Sequence, residues 1–127
     1  MHDRVTYEYA VIRLVPKVER EEFLNIGVIL FSKRKKFLGI KYNIDEQRIN
    51  AFSNEVDTDL IKKYLEAWEL ICKGGPEGGS IGACDLGFRF RWLVANRSTI
   101  IQSSKTHPGL CHDPEAVLAD IFKRYVL

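Results

Sequence analysis

The chain has 127 residues, 46% hydrophobic and 28% charged, and its 19 basic against 17 acidic residues give a net charge of +2. That length suits one domain, 1–127, with a real core, and this apolar content excludes a disordered chain. The near balance of charge leaves nucleic-acid binding without support from charge alone. The longest apolar runs, such as IGVILF at 26–31, fall far short of the roughly 20 residues that cross a bilayer, so no membrane span is expected.

Residues 5–15, VTYEYAVIRLV, alternate Val5, Tyr7, Tyr9 and Val11 with Ala10, Ile12 and Leu14, which predicts a strand buried on both faces for much of its length and ended by Pro16. The charged run KVEREEF, 17–23, reads as a solvated connection. LNIGVILFS, 24–32, follows as a second, central strand, and KRKK at 33–36 as the hairpin tip before a third, FLGIKYN. Asp45 is placed to cap a short helix through Phe52. Asp57 or Thr58 opens a longer helix, in which Leu60, Ile61, Tyr64, Leu65, Trp68, Ile71 and Cys72 recur at three- and four-residue spacing before Gly74.

GGPEGGS, 74–80, reads as a flexible loop. Residues 81–96 fit either a strand, through Phe88, Phe90, Trp92 and Val94, or a helical stripe of Ile81, Cys84, Phe88, Trp92 and Ala95, and the helix is preferred. STIIQSS, 98–104, reads as a strand, and Asp113 with Pro114 as the start of a last helix whose buried face is Val117, Leu118, Ile121, Phe122 and Tyr125. The expected fold is therefore α+β, an antiparallel sheet of about four strands with helices packed mainly on one face.

Three cysteines, Cys72, Cys84 and Cys111, without a CxxC spacing describe neither a disulfide framework nor a zinc knuckle. The stretch MHDRVTYEYAVIRLV lacks the apolar core and cleavage site of a secretory signal, which agrees with a cytoplasmic location. His107, Cys111, His112 and Asp113 are residue types that ligate zinc, yet Asp113 is needed as a helix cap and Pro108 and Gly109 mark a turn, so neither metal nor cofactor is expected. A Cys–His nucleophilic pair built on Cys111 has no supporting motif, KGGPEGGS lacks the ending of a phosphate loop, and Glu19, Glu21 and Glu22 belong to a solvated charged run.

The basic residues are more informative. Arg89, Arg91 and Arg97 lie close in sequence to Ser98, Thr99 and Gln102, so that guanidinium forks and hydroxyls offer a pocket for a phosphate or carboxylate. The bland alternative pairs these arginines with acids and uses the hydroxyls to satisfy strand-end backbone. Arg13 falls on the aromatic face of the first strand and must find a partner or reach water. Asn25 and Gly27 are expected to share a face of the second strand, the glycine leaving room for a ligand. The site predicted from these groups has Arg97, Ser98 and Thr99 as one wall, Asn25 opposite and His107 closing one side.

YEYAVIRLVPKVEREEFLNIGVILF near the start and RWLVANRSTIIQSSKTHPGLCHDPEAVL near the end together resemble the uncharacterised bacterial family known as domain of unknown function 3037. Asn96 departs from the family pattern, which often has proline before Arg-Ser-Thr. The family's polar signatures correspond to Arg13, Arg20, Glu22, Asn25 and Gly27 in the first motif and to Arg97, Ser98, Thr99, Gln102 and His107 in the second. The resemblance implies no established activity. It implies an accessory role beside a protein partner resembling a serine/threonine kinase, and adds Arg20 to the candidate ligand-binding residues. A non-catalytic binding module is thus favoured over a small hydrolase or phosphoryl-processing enzyme using His107 and Arg97.

Overall fold

The structure, a computed structural model, describes residues 4–127; residues 1–3, the first of the stretch inspected for a secretory signal, lie outside it. Five strands, β1 (Val5–Leu14), β2 (Leu24–Ser32), β3 (Phe37–Tyr42), β4 (Ile101–Ser103) and β5 (His107–Cys111), form one antiparallel sheet. β2 lies between β1 and β3, and the far edge of β1 is shared by β4, against Ile12–Leu14, and β5, against Val5–Tyr9. The strand expected over 98–104 is therefore shorter, and a fifth strand follows it. Between the two, Ser104 Oγ accepts from Val11 N at 2.8 Å, a side chain standing in for the ladder carbonyl that the break removes.

Strands β1 and β2 are central because they can be buried on both faces. On one face Ala10, Ile12, Leu14, Ile29 and Phe31 pack with Ile49, Ile61, Leu65, Trp68, Phe90 and Leu93. These last six come from α1 (Glu46–Phe52), α2 (Thr58–Lys73) and α4 (Leu86–Leu93). On the other face Val28 and Leu30 meet Leu118 and Ile121 of α5 (Pro114–Tyr125), with Val126 just beyond its end. Most helices thus share one face, and α5 covers β2 and β3 from the opposite side.

Four aspartates fix where helices begin. Asp45, Asp57, Asp85 and Asp113 each accept from first-turn amides of α1, α2, α4 and α5, respectively. The cap at Asp85 resolves the ambiguous segment, since helix runs from Leu86 and the strand-like alternation of Phe88, Phe90 and Trp92 is incidental. The glycine-rich segment is more structured than a loop: Pro76–Gly78 form a 3-10 turn, Gly79–Gly82 form α3, and Gly75 N donates to Gly82 O at 2.9 Å.

A bulge in β2 sets the geometry of the candidate site. Ile12 pairs with Gly27 and Arg13 with Asn25, so Ile26 is the extra residue and the alternation of β2 shifts there. A Cβ on Gly27 would stand 2.8 Å from Lys41 O and 3.2 Å from Ile12 Cδ1, on the α2 side. Asn25 turns to the α5 side, where Nδ2 donates to Tyr125 O at 3.3 Å. The expectation that Asn25 and Gly27 share a face is corrected: the inserted residue reverses one relative to the other, and the room at Gly27 is taken by the neighbouring strand.

Candidate functional site

The three arginines singled out beside Ser98 and Thr99, namely Arg89, Arg91 and Arg97, are engaged in holding the fold. Buried Arg89 donates from Nη1 to Ile71 O at 2.8 Å and Cys72 O at 2.9 Å, and from Nε to Cys84 O at 2.9 Å, capping the end of α2. Arg91 forms a two-pronged ion pair with Glu8. Arg97 Nη1 donates to Leu93 O at 2.7 Å and Nη2 to Trp92 O, while its guanidinium carbon lies 5.6 Å and 4.6 Å from the ring centres of Trp68 and Trp92. It closes the C-terminal end of α4, where a cation also complements the helix dipole.

That position puts Arg97 on the α2–α4 side of the sheet and Asn25 on the α5 side. The pocket predicted between Arg97 and Asn25 is not formed, because the guanidinium satisfies helix-end carbonyls on the opposite face. Thr99 Oγ1 donates to Ile101 O at 2.7 Å, closing a local turn, and Ser98 is exposed. The enzymatic pair of Arg97 and His107 is separated in the same way, since His107 lies beside Tyr9 on the α5 side, ring centres 5.3 Å apart.

Three other predicted residues do come together. Arg13 pairs with Asn25 on one side and with Gln102 on the other, so Asn25, Arg13 and Gln102 form one polar rung across β2, β1 and β4. Directly opposed residues of an antiparallel pair share a face, with Cβ atoms roughly 5 Å apart. Arg13 Nε and Asn25 Oδ1 are both buried without a hydrogen-bond partner, and Arg13 enters no ion pair with a described residue. Gln102 Nε2 donates to Thr99 O at 2.9 Å. An unsatisfied buried polar atom costs about 1–3 kcal/mol, so two on neighbouring residues require an explanation.

Aromatic rings frame the rung. Phe23, 44% exposed on the segment entering β2, lies over the Arg13 guanidinium at 4.0 Å to its ring centre. Tyr9 stands two positions before Val11 on the same face as Arg13 and stacks on Tyr125 at 6.5 Å. Burial and the neighbouring Tyr125 hydroxyl both raise the Tyr9 hydroxyl above the usual tyrosine range. The sequence reading missed Phe23, Tyr9 and Tyr125 as site residues. Tyr9 had a usable signal, being four residues from Arg13 on one strand face; the other two depend on tertiary placement.

The remaining candidates lie apart from the rung. Arg20 and Glu22 are ion-paired on the surface, which raises the arginine and lowers the carboxylate, at a polar cleft of about 410 Å³ also lined by Lys17, Asn50, Asn54 and Glu55. His107 and Cys111 are four residues apart on β5, roughly 13 Å along the strand. No group of three or more His, Cys, Asp or Glu residues among the described residues is arranged to hold a metal ion. No helix among the described residues is long and apolar enough to cross a membrane.

A single antiparallel sheet with helices on both faces and an aromatic-framed polar rung beside α5 defines a small α+β protein. The chain belongs to the family described as protein of unknown function (DUF3037), whose family model matches residues 9–126, a span that includes the whole rung. Neither a curated protein nor a solved structure matches the chain.

Proposed function

We propose that the protein is a non-catalytic binding module, acting in the bacterial cytoplasm, in which the Asn25–Arg13–Gln102 rung holds an oxygen-bearing group of a ligand or partner. A carboxylate, a phosphate and a carbonyl are the groups a guanidinium recognises. The observation that carries the reading is Arg13 itself, a half-buried cation with no carboxylate in ion-pair reach among the described residues and an Nε–H left without an acceptor. An Nε–H buried in this way recovers a hydrogen bond from a ligand, a bound water or rearrangement.

The site lacks what acyl or phosphoryl chemistry asks of a protein. The thiol of Cys111 is buried at the far end of β5, and burial together with Asp113 raises its pKa, which opposes nucleophilic use. His107 is exposed beside Tyr9, on the sheet face opposite the Arg97 cap. Three free cysteines suit a reducing compartment. The accessory role beside a kinase-like protein that the family resemblance implies is compatible with a rung that reaches the edge strand β4 of the sheet.

Amide NMR spectra recorded during titration with acetate and with inorganic phosphate test the reading. Shifts are expected at residues 9–13, 23–27, 102 and 125, and to vanish in Arg13→Ala while persisting in Arg97→Ala. Shifts confined to 97–99, or unchanged by Arg13→Ala, would overturn it.

A further inference from the structure

Resting on the reading of the rung as a binding site, the geometry points to a ligand group more specific than an anion: a planar amide edge on which a carbonyl and an N–H lie side by side. The two unsatisfied atoms are of opposite kinds. Arg13 Nε is a donor and Asn25 Oδ1 an acceptor, and the residues are direct partners across β1 and β2. The orientation of the asparagine amide is fixed by its other arm, since Tyr125 O can only accept and therefore selects Nδ2, at 3.3 Å.

An acceptor beside the guanidinium changes what the site prefers. A carboxylate or phosphate has oxygens only, so one that reached Arg13 would still leave Asn25 Oδ1 without a donor and facing negative charge. A group presenting C=O and N–H on one edge satisfies both atoms. A primary carboxamide has such an edge, and so does a ring lactam of the kind found in a pyrimidine base. A trans peptide group does not, because its C=O and N–H point in opposite directions.

Phe23 suits a flat ligand and controls its entry. Its ring lies 4.0 Å over the guanidinium carbon and extends the plane against which an amide can stack. Both unsatisfied atoms are out of contact with solvent, so a neighbouring group must move to admit a ligand, and Phe23, 44% exposed, outside any helix or strand and lying over the guanidinium, is the group we assign to that movement.

The test follows the side-chain Nε–H resonance of Arg13 during titration of the full chain with acetamide, uracil, N-methylacetamide and acetate. Acetamide or uracil is expected to shift it with an apparent affinity roughly tenfold above that of N-methylacetamide or acetate, the gain from one further satisfied hydrogen bond. Whichever of the two binds tighter identifies the carboxamide or the lactam as the source. In Arg13→Lys, which keeps the charge and lacks this N–H, and in Asn25→Leu, amide shifts elsewhere in the site should lose that preference. Equal or tighter binding of acetate leaves the rung as an anion site and overturns the amide. No response to any probe, with Arg13 Nε–H bonded to Asn25 in the free protein, overturns both.

Discussion

Arg89 Nη1 occupies the space that a side chain on Gly74 would need: a Cβ there would stand 2.8 Å from the nitrogen. Gly74 has φ +81° and ψ 175°, a conformation almost confined to glycine, and it delivers the chain out of α2 so that the guanidinium can reach Ile71 O and Cys72 O. Gly74→Ala is therefore expected to destabilise by about 1–3 kcal/mol through backbone strain alone, before the contact is counted. Arg89→Met should cost at least as much, since it leaves buried helix-end carbonyls without a donor at about 1–3 kcal/mol each. Urea denaturation checks both, and a midpoint unchanged in Arg89→Met would refute the capping role.

Arg97 and Arg13 make opposite predictions for the same substitution. Arg97 caps Trp92 O and Leu93 O and stacks on two tryptophans, so Arg97→Ala should lower stability by about 1–2 kcal/mol without altering ligand-induced shifts at the rung. Arg13→Ala removes a group whose Nε is already unsatisfied, and its stability cost should be the smaller of the two while binding is lost. Thermal denaturation paired with the NMR titration separates the two roles.

This contrast marks where the sequence is legible. β1 and β2 could be read because apolar residues occupy both alternating sets, and helix starts could be read wherever an aspartate precedes a periodic stretch. β5 was hidden because its strand, His107–Cys111, contains proline and glycine, residues that ordinarily mark a turn. Its glycine is explained by the partner strand: Tyr7 lies across Gly109 and occupies the place of a side chain there. Arg13, Asn25 and Gln102 were recognisable as polar residues out of place. Their convergence depended on cross-strand register and on the bulge at Ile26, which no local pattern encodes. Arg97 looked available only because helix-end carbonyls cannot be located before the helix is placed.

Stability should fall in alkali. Burial, aided by Glu69 and opposed by Arg89, pushes the Cys72 thiol from about 9 up to about 12, and burial with the hydrogen bond to Glu69 pushes the Tyr42 hydroxyl from 10.0 up to about 12. Both groups hold their protons more tightly in the folded chain than in the unfolded one. Their contribution is thus complete below about pH 9 and is lost as pH rises toward about 12. The urea midpoint is expected to be level between about pH 7 and 9 and to decline above that range. In Cys72→Ala the decline above about pH 9 should be shallower, with the raised Cys111 thiol and the tyrosines carrying what remains, and Tyr42→Phe should flatten its upper part. A midpoint that rises above pH 9 would contradict this account.

Asp113 separates a helix cap from a metal ligand. Its carboxylate accepts from Glu115 N at 3.1 Å and Ala116 N at 3.4 Å, and Pro114 occupies the first helical position, where no amide is missed. The neighbouring His107 and Cys111 are spread along β5 by roughly 13 Å, too far for one metal ion whose ligands each lie about 2.0–2.3 Å from it. Asp113→Ala should therefore destabilise by about 1 kcal/mol, and Asp113→Asn, which keeps an accepting oxygen, by much less. Loss of the cap reaches the rung through α5, because Tyr125 O at the far end of that helix orients Asn25. The Asn25 side-chain amide resonance should accordingly shift or broaden in Asp113→Ala and keep its position in Asp113→Asn. Treatment with a chelator should leave the melting temperature of all three proteins unchanged; a chelator-sensitive wild type whose loss is reproduced by Asp113→Asn would make the carboxylate a ligand and not a cap.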